Sequence, residues 1–499
     1  MNLASLVTQA AARSPQAPAL RSDHRTVVWS ELERLVRAVA GGLAARRLSP
    51  GERVVLIAGN SVEFVSSYFG ILRAGLVAVP VNPGYTPYEV AYLIEQSQAA
   101  LVIVDAASEK LARKALGESP RVPVITVGSN AWRALTVGST PPPVIESNPE
   151  DLAVLLFTSG TSGRPKGAML SHRALLANIE QLAALDDPPV MRPDDVVLVL
   201  LPLFHSYALN AVLGLLAHTG ACAVLSARPD PRTALRLVST HRATVVASAP
   251  PVYRAWADLP GLADALRGVR MMISGAAPLP PEVFRAFAEA ADQPVWEGYG
   301  MTEAGPVLTS TAASGRPIPG SVGRPLPGID LELRDEHGEV VDDGDPGEVV
   351  VRGANLFSGY WPDGADGPGP EGWWATSDVG ILDGEGDLRL VDRRNDLIIV
   401  SGFNVYPREV EEALNAIPGV LEAAVMGVPD DVTGEAVKAL VVTAAEGGPD
   451  VEELMAGCAV RLARFKRPTV IELVTELPHS GTGKISKGAL RERIAGVRE

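Results

Sequence analysis

The stretch AVLLFTSGTSGRPKG, from Ala153 to Gly167, decides the fold. Its first five residues are apolar without a break, the pattern of a strand buried on both faces. The run then empties into a loop built for close approach. Gly160, Gly163 and Gly167 tolerate positive φ and leave the backbone bare. Thr158, Ser159, Thr161 and Ser162 add hydroxyl donors, and Lys166 adds a positive charge. Successive N–H groups in such a loop form a nest for an anion. It is not a Walker A loop, because Pro165 stands where that motif needs its second glycine. The same composition also suits a solvated surface loop, so the rest of the chain has to decide.

Working outward, helix and strand patterns alternate. Ser30 and Glu33 are spaced as a capping box, and Leu32, Leu35, Val36, Val39 and Leu43 follow at helical intervals. RVVLIAG (Arg53 to Gly59) reads as a buried strand, Val62 to Ala74 as a helix, and AVPVN (Ala78 to Asn82) as another strand. The alternation resumes with VVLVLL from Val196 to Leu201, a helix from Thr233 to His241, TVVAS, and VRMMIS. This predicts an α/β fold with helices packed on largely parallel sheets. Near Gly320 the texture changes to short alternating runs broken by Gly, Pro and Asp, which predicts a small antiparallel β subdomain. DGADGPGPEG (Asp363 to Gly372) reads as a polar loop, and the chain after DRRND as a compact α+β unit. The expected organisation is a large domain over 1–392, a hinge at 393–396 and a small mobile domain over 397–499.

Composition bounds the function. The 499 residues exceed one ordinary domain, and 46% hydrophobic content supports a large core. A formal charge of -15 argues against a nucleic-acid partner. Cys222 and Cys458 are far apart, which suggests two buried thiols rather than a disulfide or a zinc site. From Val196 to Ala227 there is no formal charge, but Pro202, His205, Asn210, His218 and Gly220 interrupt the stretch. A strand, a helix from about Leu209 to Ala217, and a strand from Cys222 to Leu225 fit it better than a membrane span. With no leader or lipid signal visible, the expected location is cytoplasmic.

The full loop string resembles the signature of the adenylate-forming superfamily, in its acyl-CoA synthetase branch, and further motifs follow in the family's order from about Trp29 to Lys484. The resemblance implies ATP, Mg²⁺ and coenzyme A as reaction partners of a small carboxylic acid. It places the triphosphate on residues 158–163 with Lys166. ISGAAPLP resembles the segment along adenine, which brings in Gly275, Ala276 and Ala277. EGYGMTEAG resembles the next core motif, with Glu297, Gly298 and Gly300 in its frame. There Tyr299 would stack on the base, Thr302 would bond the α-phosphate, and Glu303, with Thr158, would hold Mg²⁺, a cation that prefers oxygen ligands. WWATSDVG resembles the ribose motif, with Asp378 on the hydroxyls; the residue before it is usually Gly and here is Ser377. Arg393 resembles the arginine that reaches the nucleotide, and Asn395 takes a hinge position usually held by Asp or Lys. Lys484, in HSGTGKISKG, resembles the catalytic lysine. Gly402 and Asn404 lie in the segment that would meet the pantetheine arm once the small domain turns.

His205 matches the position at the mouth of the acyl pocket, with Tyr207, Val212 and Gly298 along it. No Asp stands nearby for a substrate amine, and Gly298 replaces the Arg with which malonate-activating relatives pair a second carboxylate. A monocarboxylic acid follows, since a buried unpaired carboxylate is costly. NPGYTPYEVAYLIEQS (Asn82 to Ser97) resembles fatty acyl-CoA ligases and favours a medium or long chain. HSYALN also resembles aryl acid ligases, where Tyr207 meets a ring hydroxyl. Transfer to a carrier protein and a luciferase-like oxygenase are the other readings. Oligomeric state stays open, as does transient contact with a membrane surface.

Overall fold

The computed structural model describes residues 1–22, 25–117, 121–137, 145–158, 165–226, 230–393, 398–400, 403–430, 434–445, 447–462, 464–479, 485–487 and 489–490. The chain forms two compact units. One comprises Met1–Asp330 with Arg352–Trp373, the other Leu331–Val351 with Trp374–Glu499.

The first unit holds two twisted sheets. In one, the strands Val124–Thr126, Leu101–Val104, Arg53–Ile57, Val77–Pro80 and Leu152–Thr158 run parallel in that spatial order. Lys166–Ser171 closes the edge antiparallel to Leu152–Thr158, with Thr158 opposite Lys166. The other sheet has a parallel centre, ordered Trp296–Gly300, Met271–Ser274, Val245–Ser248, Val196–Val199, Cys222–Leu225 and Pro18–Ser22. Antiparallel strands Val307–Ser310 and Arg324–Pro325 flank one side, and Arg25–Val28 the other. Every residue of Val77–Pro80, Leu101–Val104, Cys222–Leu225 and Val245–Ser248 is buried. That is why these strands read as unbroken apolar runs: helices or a neighbouring layer cover both faces. After Val196–Val199 the chain adds its next strand on one side and the following one on the other. Such a reversal opens a crevice at the carboxyl ends of the strands, where open α/β sheets bind ligands.

The second unit carries a sheet ordered Ile329–Arg334, Gly347–Gly353, Trp373–Leu382 and Leu388–Arg393. Its other sheet pairs Phe403–Val405, Ile398–Val400, Gly434–Thr443 and Val420–Asp430 in order, with Val470–Leu473 alongside Gly434–Thr443. The helices Pro407–Asn415 and Val451–Arg461 bury Val410, Leu414, Leu454 and Cys458 against it. This is the α+β arrangement read from the sequence. Both cysteines are free and buried, and burial pushes the Cys222 thiol up to about 11, which leaves it unreactive near neutrality.

Three local expectations are corrected. Ser30 does not cap a helix: the helix is Trp29–Ala45, with Val28 at its N-cap and no side-chain cap. Trp29 is 1% exposed and donates its indole N–H to the Gly220 carbonyl at 3.0 Å, so burial of the indole sets the start. Glu33 is drawn instead to Arg73 at 2.9 Å and to Thr8 at 3.1 Å. Second, the strand Val196–Val199 is two residues shorter than expected, and the helix begins earlier, as a π-helical segment Tyr207–Val212 leading into Leu213–Thr219. Asn210 sits inside the π turn and donates to the carbonyls of Leu175 at 3.0 Å and Gly305 at 2.7 Å. Third, Arg324–Pro325 joins the larger sheet rather than the small antiparallel one. No described helix is long and apolar enough to cross a membrane.

Candidate active site

The site builds from the ends of the two sheets. Leu152–Thr158 delivers Thr158 to the lip of the phosphate loop; Ser159, Gly160, Thr161, Ser162 and Gly163 lie outside the described residues. Facing it from the other sheet, Trp296–Gly300 runs into a short 3₁₀ turn, Thr302–Ala304. Gly300 permits this turn, since a Cβ there would stand 1.9 Å from the Pro306 carbonyl oxygen. The turn brings Glu303 to Thr158. The Thr158 hydroxyl donates to Glu303 Oε1 at 3.3 Å, and the Tyr360 hydroxyl donates to the same oxygen at 2.8 Å.

Glu303 is 8% exposed, so its carboxylate is bought at a desolvation cost that these donors offset. The turn is pinned from outside: Phe357 N–H donates to the Glu303 carbonyl at 2.8 Å and Asn355 Nδ2 to the Ala304 carbonyl at 2.7 Å. Thr302 Oγ1 lies 3.2 Å from Ser206 Oγ. Lys166 is half exposed, pairs with Asp366 at 2.9 Å and lies 5.0 Å over the Tyr360 ring. Burial first, then the Glu303 and Asp366 charges, push the Tyr360 phenol well above its ordinary range, so it stays a donor. One carboxylate beside neutral hydroxyls suits Mg²⁺, which keeps several waters and takes most other oxygens from substrate phosphates. Among the described residues no group of three His, Cys, Asp or Glu could hold a metal alone.

The segment expected to lie along adenine follows Met271–Ser274. Ala276 has φ of +68°, a left-handed conformation that costs an L residue roughly 1–2 kcal/mol. Glu297 is buried: its Oε1 accepts from Leu279 N–H at 3.0 Å, and its backbone N–H donates to Thr311 Oγ1 at 2.9 Å. That locks the adenine segment to the Trp296–Gly300 strand. Tyr299 is buried and Gly298 pairs with Ser310 across the sheet edge.

In the second unit Asp378 is 8% exposed on the Trp373–Leu382 strand, where it pairs in register with Arg393. Its backbone N–H donates to Thr376 Oγ1 at 3.1 Å, and that hydroxyl donates on to the Val349 carbonyl at 2.9 Å. Ser377, before it, has φ of +63°. The backbone therefore keeps the left-handed shape that glycine would adopt freely, with serine carrying the strain. Asn404 lies in the Phe403–Val405 strand. Asn395, Gly402 and Lys484 lie outside the described residues.

The acyl side is different. His205 Nδ1 accepts from the Tyr207 N–H at 3.4 Å, and Val212 is buried at the end of the π turn. Tyr207 is half-buried as a residue, but its hydroxyl is fully buried and has no hydrogen-bond partner among the described residues. The ring packs closely against Gly275: a Cβ there would come within 2.7 Å of it. Ser248 and Ser274, directly opposite each other at the ends of neighbouring strands, also bury hydroxyls without a partner among the described residues. Sequence reading missed Ser248, Ser274, Tyr360 and the bracing asparagines. For Asn210, a polar residue inside an apolar run was the available signal.

Residues 7–361 match the family described as AMP-binding enzyme, and residues 409–484 the AMP-binding enzyme C-terminal domain. A feruloyl-CoA synthase of Amycolatopsis sp is 36% identical over 497 residues, covering 99% of each chain. A long-chain-fatty-acid–CoA ligase of Bacillus subtilis is 34% identical, covering 98% of this chain and 94% of that one. The crystal structure of ATP-bound MatB from Rhodopseudomonas palustris superposes with a TM-score of 0.92 at 33% identity over 100% of both chains.

Proposed function

This chain belongs to the AMP-binding enzyme family, and from that premise we propose that its acid substrate is an aromatic carboxylic acid carrying a ring hydroxyl. The enzyme is an ATP-dependent acid–thiol ligase. A carboxylic acid, ATP and coenzyme A are its substrates; acyl-CoA, AMP and pyrophosphate are its products.

In the first half-reaction a carboxylate oxygen attacks the α-phosphorus and pyrophosphate leaves. In the second, the CoA sulfur attacks the acyl carbon, the thiol proton is lost and AMP leaves. Two anions must meet in the first step, so positive charge and aligned donors supply the catalysis. Glu303 and Thr158 would hold Mg²⁺, which when bound neutralises charge on the phosphate oxygens. Lys166 adds its charge at the loop lip, and Thr302 presents a hydroxyl toward the α-phosphate. The buried face of Tyr299 suits adenine, the Asp378 carboxylate suits the ribose hydroxyls, and Arg393 and Lys484 would complete the nucleotide contacts. No protein nucleophile is required.

The observation that carries the substrate assignment is the buried, unpartnered Tyr207 hydroxyl against Gly275. If the site opens onto this hydroxyl when the acid binds, a ring hydroxyl would pair with it, whereas an alkyl chain would leave it unpaired at a cost of about 1–3 kcal/mol. The aliphatic reading favoured by the Asn82–Ser97 segment draws on a relative almost as similar as the aromatic one, so identity alone does not separate them.

The test is AMP and pyrophosphate release from ATP with coumarate, ferulate, cinnamate, hexanoate through palmitate, and malonate, each with and without CoA. CoA-dependent AMP release with the hydroxylated aromatic acids is expected. Turnover confined to one range of alkanoates would replace the aromatic assignment. Pyrophosphate exchange without CoA-dependent turnover would redirect the acyl group to a carrier protein.

A further inference from the structure

Glu303 stands on a turn of three residues, and such a turn fixes a backbone better than it fixes a four-bond side chain. What fixes the carboxylate is Tyr360. Its hydroxyl approaches Oε1 at 2.8 Å, a full O–H···O hydrogen bond, while Thr158 reaches the same oxygen only at 3.3 Å. With Oε1 held, the rigid carboxylate has one direction left for its other oxygen.

Tyr360 is itself held on several sides. Its backbone bridges Ala168 on the phosphate-loop hairpin and Ala365 on the following loop. On either side of it, Ser358 N–H donates to the Met169 carbonyl at 2.9 Å and Trp361 N–H to the Gly167 carbonyl at 2.8 Å. The ring meets Phe357 edge-on, with centroids 5.1 Å apart at 75°. Its face carries the Lys166 ammonium, which Asp366 holds from the other side. One side chain thus touches both the phosphate-loop lysine and the carboxylate on the opposing sheet.

We propose that Tyr360 is a positioning residue that aims the Glu303 carboxylate at the cation and keeps it in register with Lys166. Partners that orient a metal ligand change metal affinity when removed, typically about 10–100-fold. The proposal rests on the reading of Glu303 as the Mg²⁺ ligand. Tyr360→Phe keeps the ring, hence the contacts with Phe357 and Lys166, and removes the hydroxyl alone.

The experiment uses the full chain and titrates Mg²⁺ at saturating ATP, following pyrophosphate release with an acid the wild type accepts. In parallel, calorimetry measures ATP binding with and without Mg²⁺. For Tyr360→Phe the Mg²⁺ half-saturation rises about tenfold, the rate at saturating Mg²⁺ recovers, and the Mg²⁺-dependent gain in ATP binding shrinks by a similar factor. In a Glu303→Gln background the same change has no further effect on that gain, because the group being aimed is gone. An unchanged Mg²⁺ dependence, an equal loss at every Mg²⁺ concentration, or the same effect in the Glu303→Gln background would overturn the proposal. If the wild type releases pyrophosphate with no acid, the ligase reading fails by itself, and the calorimetric arm still judges Tyr360.

Discussion

Around Glu303 the hydroxyls of Thr158 and Tyr360 donate to a single carboxylate oxygen, at 3.3 and 2.8 Å. Around Gly275 the hydroxyls of Tyr207, Ser248 and Ser274 are just as buried, yet none has a partner among the described residues. Both clusters sit in the same unit. The first is finished before any ligand arrives, which is how a site lowers a barrier electrostatically without reorganising during the reaction. In the proposed function the second is completed by what binds it, and a site with buried polar groups rejects an analogue that leaves them unpaired. On the proposed function, the first region serves chemistry shared by every acid and the second chooses among acids.

The comparison breaks most sharply at Glu303. Glu303→Gln removes the charge and keeps the shape, and adenylate formation falls by about 10²–10³-fold, read as pyrophosphate exchange, while thermal unfolding changes little. Loss of stability in parallel with activity would make Glu303 a structural residue and dissolve the contrast.

His172 offers a second test on the finished side. Its Nδ1 accepts from Leu3 N–H at 3.1 Å, a bond that needs the neutral ring. Burial first, and then the positive N-terminus, lower its pKa from 6.5 to about 4. Between those values the unfolded chain binds a proton that the folded chain refuses. Stability is therefore full above pH 6.5 and is lost as pH falls toward 4, by on the order of 3 kcal/mol. Denaturant unfolding at several pH values shows this slope, and His172→Gln flattens it. An equal slope in both proteins would assign the effect elsewhere.

The smallest effect lies at Ser377. Its φ of +63° makes Ser377→Gly a relief of backbone strain, worth about 1 kcal/mol of stability in thermal unfolding. Destabilisation would mean that the serine side chain contributes something its backbone does not reveal.

Much of this was legible in the chain. Unbroken runs such as Leu101–Val104 and Val245–Ser248 announce strands covered on both faces, and the helices between them follow from their spacing. Thr158, Glu303 and Lys166 could be named because the motifs carry them, although their convergence requires the fold. Where reading failed, a tertiary partner had won. Glu33 is drawn to Arg73 across 40 residues, and no local capping pattern contains that pair. Tyr360 is 57 residues from Glu303, in a Gly-rich segment that looks like an ordinary loop. The departure at Ser377 was visible as a letter, but only the backbone angle gives its cost. The Asn82–Ser97 segment suggested an aliphatic acid and HSYALN an aromatic one. That its tyrosine buries an unsatisfied hydroxyl depends on the π turn at Tyr207–Val212, for which its apolar pattern gives no separate sign.

The most direct measurement compares kcat/KM for 4-hydroxycinnamate with that for cinnamate, which lacks only the ring hydroxyl, in the wild type and in Tyr207→Phe. The account predicts that the wild type prefers the hydroxylated acid by at least about tenfold and that Tyr207→Phe erases most of this preference by losing the hydroxylated acid, not by gaining the other. An equal ratio in the two proteins, or a wild type indifferent to the hydroxyl, would contradict it.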